Sequence, residues 1–311
     1  MFRSTFSLLL IWQVTFWLGS LIRETIINVF VISILDEGNL LNPEISICIP
    51  VVYGNHIKES LDSIFANKYE DYEVLVNDSS KFFNTSDLLS EYDVKIIKKK
   101  TKSFEGRYVT FRESKGNNVL LFDETRVMST TLLGSLSSMK KEIVVISERD
   151  IGKGIITFLS NLDKRIVPND AKLINPFQNK SVIPRFYNRN IICMAMDEIS
   201  KNLPLNLIKE IVGLDLELIY FESYKISQNI GIIPTPEIYH YGDSNFQEVI
   251  RKYFRYGKSQ KMLRNSYYAD FAGLSGRNRG KTSPTEWIQS LPLQIIRGIP
   301  FLMGYLSGRS K

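Results

Sequence analysis

Two short acidic clusters stand where ligand chemistry is readily built. Asp78-Ser79-Ser80 follows the apolar run Tyr72 to Asn77, and Asp123-Glu124-Thr125 follows the run Asn118 to Phe122. Both runs read as strands, and in open α/β sheets ligands bind at the carboxyl ends of strands. A carboxylate held there accepts hydrogen bonds from hydroxyl groups or binds a cation. A lone Asp in a turn is commonplace, because it caps helices and closes Asx-turns. Two such acids on strand tips are more informative than either alone. A third group is cationic: Arg251, Lys252, Arg255, Lys258 and Lys261 recur through Phe246 to Leu263 among aromatic residues, predicting a basic helix pair. Such a surface meets phosphate or an anionic membrane, or is simply a solvated amphipathic face.

Around these residues the composition describes a globular body. The chain has 311 residues, 44% apolar, 23% charged and 12% aromatic, which excludes a disordered chain, a collagen-like repeat and a polytopic membrane protein. The length corresponds to one large domain or one and a half. A net charge of +6 favours a phosphate-bearing partner: nucleotide, nucleic acid or anionic lipid. The nucleic-acid option is set aside, since the aromatic residues of Tyr253 to Tyr256 sit in no RNA-binding motif. Cys48 and Cys193 lie inside apolar runs and read as buried thiols, not as a disulfide. His56 and His240 are the only histidines, which rules out a multi-histidine metal centre.

The elements that must position the acids follow from periodicity. Glu44 to Pro50 is a short buried strand stopped by proline, His56 to Ala66 has helical apolar spacing, and Tyr72 to Asn77 returns to strand. Val94 to Ile97 is a third strand, Gly106 to Gly116 a helix carrying Arg107, and Asn118 to Phe122 a fourth strand. Glu142 to Ser147 resumes strand character, and Ile155 to Leu162 reads as helix. Leu205 to Val212 is a helix that Gly213 would end. Gly231 to His240 is extended, because Pro234 and Pro236 forbid helix.

Both ends are apolar. Ser4 to Ile22 carries no charge and is just long enough to span a bilayer, although its Ser, Thr and Gln content fits an interfacial helix equally well; a second apolar run extends from Ile26 to Leu35. A cleaved signal peptide is the weaker reading, because the apolar pattern resumes past Arg23. At the other end, Trp287 to Leu306 is apolar with basic punctuation, and Pro292 and Pro300 are expected to break it into short pieces. The expected organisation is an apolar membrane-associated segment over 1–42, a central domain over 43–265, and an apolar and basic membrane-associated segment over 266–311.

Longer motifs carry a resemblance. Ile47-Cys48-Ile49-Pro50, then Ile57 to Ile64 as I-K-E-S-L-D-S-I, then Tyr69 to Ser80 as Y-E-D-Y-E-V-L-V-N-D-S-S follow one another in register. Arg107 and Gly116 stand nine apart, Gly116 and Asp123 seven apart, and Ile232 to His240 runs through Pro into His. With Arg251 to Gly257 as R-K-Y-F-R-Y-G, this pattern resembles the family-2 glycosyltransferases of the GT-A fold, over about Ile45 to Leu263. The resemblance is stronger in the first half. It implies an α/β fold: a Rossmann-like mixed central sheet flanked by helices, with apolar N- and C-terminal helical segments.

The resemblance also implies roles. Pro50, Val51, Tyr53, Asp78, Arg107, Asp123 and Glu124 would contact a nucleotide-sugar donor. Asp123 matches the first carboxylate of the family's D-x-D, which holds Mg²⁺ or Mn²⁺ against the diphosphate, and His240 resembles the histidine near that metal. Thr125 replaces the last carboxylate of the motif, a departure that puts metal binding in doubt. Asp215 falls where the catalytic base stands, with Glu217 as second candidate and Glu222 as third. Arg251, Lys252 and Arg255 would meet the diphosphate or a phosphorylated acceptor. The implied activity is inverting transfer of a sugar to a lipid-linked or polysaccharide acceptor, by a membrane-associated protein whose catalytic domain is cytoplasmic. The alternative is a catalytically silent module that binds nucleotide sugar without a full D-x-D.

Overall fold

A computed structural model describes residues 42–80, 85–164, 174–178, 182–243, 245–273 and 284–308. Contacts divide the chain into two units, Met1–Pro43 and Glu44–Lys311, and the second alone is described below. The apolar runs Ser4 to Ile22 and Ile26 to Leu35 lie outside the described residues.

An eight-stranded sheet is formed by β1 (Ile45–Val51), β2 (Tyr72–Asp78), β3 (Lys95–Ile97), β4 (Asn118–Leu121), β5 (Arg126–Met128), β6 (Ile143–Ile151), β7 (Phe186–Asn188) and β8 (Ile230–Tyr241). Its order is β3-β2-β1-β4-β7-β6-β8-β5. Pairing is parallel from β3 through β4 and between β6 and β8, while β7 runs antiparallel to both its neighbours and β5 antiparallel to β8. The sheet is therefore mixed. Side chains alternate along each strand between two faces. Cys48, Leu75, Val119 and Leu121 enter one apolar layer, and Ile47, Ile49, Val74, Val76, Leu120 and Phe122 enter the other. Burial pushes the Cys48 thiol up to about 12, as suits an inert core residue. Cys193, expected to be buried, is half-buried.

Helices α1 (Ile57–Phe65) and α4 (Leu132–Met139) supply Leu61, Ile64, Leu133 and Leu136 to the second layer. The first layer is covered by α3 (Ser103–Glu113), α6 (Arg189–Asn202) and α8 (Asp215–Ile226). The remaining helices are α2 (Thr85–Leu89), α5 (Ile155–Lys164), α7 (Leu205–Glu210), α9 (Phe246–Arg264), α10 (Ala269–Gly273) and α11 (Pro284–Ser307). Pro234 and Pro236 lie inside β8, yet the β6–β8 register jumps from Ile146↔Ile233 to Glu148↔Ile238. The irregularity sets both prolines outside the ladder that their missing N–H would break.

Two expectations at the C-terminal end are corrected. The basic region is one helix, α9, not a pair. The apolar segment is also one helix, α11, with Pro292 and Pro300 inside it. Tertiary packing outweighs the hydrogen bonds that each proline removes. α9 and α11 approach to backbone contact, since a Cβ on Gly257 would overlap the carbonyl oxygen of Phe301 and one on Gly304 that of Phe254. Along α11, Ile288, Leu291, Ile295, Ile299, Leu302 and Leu306 are exposed at intervals of three and four residues. Among the described residues, no helix is long and apolar enough to cross a membrane.

Candidate functional site

The loop that follows β1 is the first wall of a cavity of about 1150 Å³. Its backbone turns inward because Glu124, directly after the β4 tip, gathers three amide groups. Val52 N–H and Tyr53 N–H donate to Glu124 Oε1 at 3.0 and 2.9 Å, and Gly54 N–H donates to Oε2. Burial pushes the Glu124 carboxyl above its ordinary range, and the three amides pull it back. Glu124 is thus a loop anchor. Pro50 and Tyr53 line the cavity, whereas Val51 is fully buried and is not among the lining residues.

Asp123 sits at the centre of an ion network. Its Oδ1 accepts from Arg107 Nη2 and its Oδ2 from Arg126 Nη1, with Arg185 Nη1 at 3.3 Å from Oδ2. Arg185 and Arg126 also reach Glu148, the latter through Nε at 3.2 Å, while Arg107 Nη1 donates to the carbonyl of Phe122 at 2.9 Å. Burial would raise the Asp123 carboxyl, but Arg107, Arg126 and Arg185 together hold it well below the usual carboxylate range. Burial and the neighbouring Arg126 lower the Arg185 guanidinium from its ordinary value.

Arg107 links this network to α8. Its Nε donates to Asp215 Oδ2 at 2.7 Å, and Ser103 Oγ donates to the same oxygen at 3.0 Å. Asp215 opens the first turn of α8 and is buried, at 4% exposure. The preceding turn depends on Gly213, whose φ of +80° belongs to the left-handed region and whose missing Cβ leaves room for the Tyr256 ring. Glu217, half-buried on the same turn of α8, lines the cavity too. Glu222 does not line it; it is buried against Lys225 at 2.8 Å.

His240 pairs in register with Arg126 across β5 and β8. Its Nδ1 lies 2.7 Å from Asp150 Oδ1, which also receives Lys164 Nζ at 2.6 Å from α5. Burial and the charge of Arg126 push the imidazole down to about 4. At neutral pH it is therefore uncharged, donating from Nδ1 to an ionised Asp150. On α9, Lys252 is tied to Asp243 at 3.2 Å. Arg251, Arg255 and Lys258 are exposed, line the cavity and share one helix face; Arg255 Nη1 donates to Tyr53 Oη at 3.3 Å.

Asp78 stands apart from this assembly. It is not among the cavity-lining residues, and its carboxylate is engaged locally, Oδ1 by Ser80 N–H at 3.0 Å and Oδ2 by Thr85 Oγ1 at 2.7 Å. Its two acceptors are thus spent on Ser80 and on the first residue of α2. Apart from Val51 and Glu222, the other expected donor, base and cation positions line this cavity. Sequence reasoning missed Arg126, Arg185, Glu148 and Asp150. Arg126 directly follows the acidic cluster, but Arg185 is 62 residues from Asp123 and no spacing marks it.

The expected metal pair, Asp123 with His240, does not fit a divalent cation. Both Asp123 oxygens already face guanidinium groups, which would repel a cation, and Glu124 spends both of its oxygens on backbone amides. Thr125 adds only a neutral hydroxyl to the lining. Among the described residues, no group of three or more His, Cys, Asp or Glu side chains is arranged to hold a metal.

No protein-family model matches the sequence, and no curated protein matches it. Solved structures do. The chain is similar to residues 1–349 of S. aureus TarS in complex with UDP-GlcNAc, at 13% identity and a TM-score of 0.52, over 84% of this chain and 83% of that one. A second structure of the same TarS fragment aligns at 14% identity and a TM-score of 0.50, over the same shares. At this identity the likeness concerns the fold: a mixed α/β sheet flanked by helices, of the GT-A-like kind.

Proposed function

We propose that the chain is a glycosyltransferase that moves a sugar from a nucleoside-diphosphate sugar to a lipid-linked or polysaccharide acceptor, by a single inverting displacement. The observation that carries this reading is the convergence of the buried Asp215 carboxylate and the cationic face of α9 on one cavity at the strand tips. The fold likeness to TarS, which was crystallised with UDP-GlcNAc, supports the donor class.

In this reading the nucleotide lies along the loop of Pro50 and Tyr53, and its diphosphate faces α9. Asp215 is the base. Arg107 and Ser103 hold it through Oδ2, so that Oδ1 takes the proton from the acceptor hydroxyl while the hydroxyl oxygen attacks the anomeric carbon. The bond from that carbon to the diphosphate oxygen breaks as the new one forms, and the configuration inverts. Glu217 is the second candidate for the base. A bilayer surface is the setting that suits the exposed apolar row of α11 and a net charge of +6, and it favours a lipid-linked acceptor.

A donor screen with UDP, GDP and dTDP sugars tests the activity. Asp215→Asn is expected to lower kcat at least ~100-fold with little change in donor KM, the signature of a lost proton acceptor. Retained turnover in Asp215→Asn and loss in Glu217→Gln would move the base to Glu217. The capture of Asp123 by three arginines favours a second reading, a silent module that binds nucleotide sugar. Nucleotide-induced stabilisation with no turnover on any donor would decide for it.

A further inference from the structure

The diphosphate of a nucleotide sugar carries about two negative charges, and its departure adds about one more that the site must neutralise. The acids after β4 do not hold a metal for that purpose, because Asp123 is closed by Arg107, Arg126 and Arg185 and Glu124 is closed by the amides of residues 52–54. Across the cavity, α9 presents Arg251, Arg255 and Lys258 at positions i, i+4 and i+7, all three exposed and lining the same space. The residue between them, Lys252, is the one bound to a carboxylate, that of Asp243. Arg255 meets the neutral Tyr53 hydroxyl, and Lys258 Nζ lies 5.1 Å from the Phe254 ring centroid. Glu248 lines the cavity from the same helix, so the face carries a net charge near two, about what one divalent cation supplies.

We propose that sugar transfer at this site needs no divalent cation, the leaving diphosphate being neutralised instead by Arg251, Arg255 and Lys258 of α9. The proposal deepens the glycosyltransferase reading and rests on it. Guanidinium groups suit the task because they hold their charge at any working pH and grip phosphate oxygens in pairs. The side chains are exposed on a helix, so their replacement leaves the core untouched.

The test is the binding of UDP, GDP and dTDP to the full chain by calorimetry and thermal shift, first in excess EDTA and then in Mn²⁺. The expected result is that whichever nucleotide binds does so with a Kd that agrees within about twofold between the two conditions. Arg251→Ala with Arg255→Ala then weakens binding by about tenfold or more in both. Arg255→Lys, which keeps the charge, loses less than Arg255→Ala. Binding that disappears in EDTA and returns with Mn²⁺ overturns the proposal and leaves the glycosyltransferase reading standing. Binding unaffected by the double variant also overturns it. Absence of binding by every nucleotide in both conditions sinks the functional reading, and the proposal with it.

Discussion

Replacing Asp123 with Asn separates two pictures of the strand tip by the sign of one number. In the structure Asp123 is a counter-ion: it is 15% exposed and its oxygens serve Arg107, Arg126 and Arg185, two of which are below 5% exposure. Removing one partner of a buried ion pair costs about 3–5 kcal/mol, because the opposite charge stays buried and uncompensated. The cost here falls at the lower end, since Arg126 and Arg185 keep Glu148 and Arg107 keeps Asp215. For a unit of this size, a loss of about 3 kcal/mol lowers Tm by roughly 6–12 °C. The assay is thermal unfolding followed by circular dichroism in EDTA, with urea unfolding as a second measure. Were Asp123 an open carboxylate awaiting a cation, the same replacement would remove acid repulsion and leave Tm unchanged or raised. Either of those outcomes refutes the ion-network argument.

Two further predictions follow from single features. His240 is held neutral down to about 4, whereas in the unfolded chain it protonates near 6.5, so the unfolded state takes up the proton first as pH falls. Stability from this group is complete above pH 6.5 and declines by up to about 3 kcal/mol on the way to pH 4. Urea midpoints between pH 7 and pH 4 should fall in the parent protein and fall less in His240→Gln; parallel slopes in the two would disprove the assignment. The apolar row of α11 predicts co-flotation with vesicles rich in anionic phospholipid, lost on replacing Ile295, Ile299 and Leu302 by Ser. Flotation that survives this triple replacement would place any membrane contact elsewhere in the chain.

Much of the sheet is legible in the sequence, and so is the placing of Asp78 and Asp123 at strand tips; that Asp123, Asp215, His240 and the α9 cations share a cavity while Asp78 stands outside it is not. Runs such as Ile45–Val51 and Tyr72–Asp78 announce strands because a strand buried on both faces must be apolar at successive positions. Likewise Pro234 and Pro236 exclude helix by local sterics alone. Strands β5 and β7, as Arg-Val-Met and Phe-Tyr-Asn, lack the aliphatic run that marks the equally short β3 within Val94 to Ile97. Proline also signalled a break in α11 that the close approach of α9 overrode.

What the amino-acid order determined was position along the chain: acids at strand tips, cations three and four apart, glycine where the backbone turns left-handed. Only the tertiary structure decided what each charge meets. Asp78 and Asp123 look alike as acids that end strands, yet one is spent on a turn and the other on three guanidinium groups. The physical reason is range. Burial and backbone preference act between near neighbours, whereas the partner of a buried charge is selected by the fold, here across 62 residues between Asp123 and Arg185 and 108 between Arg107 and Asp215.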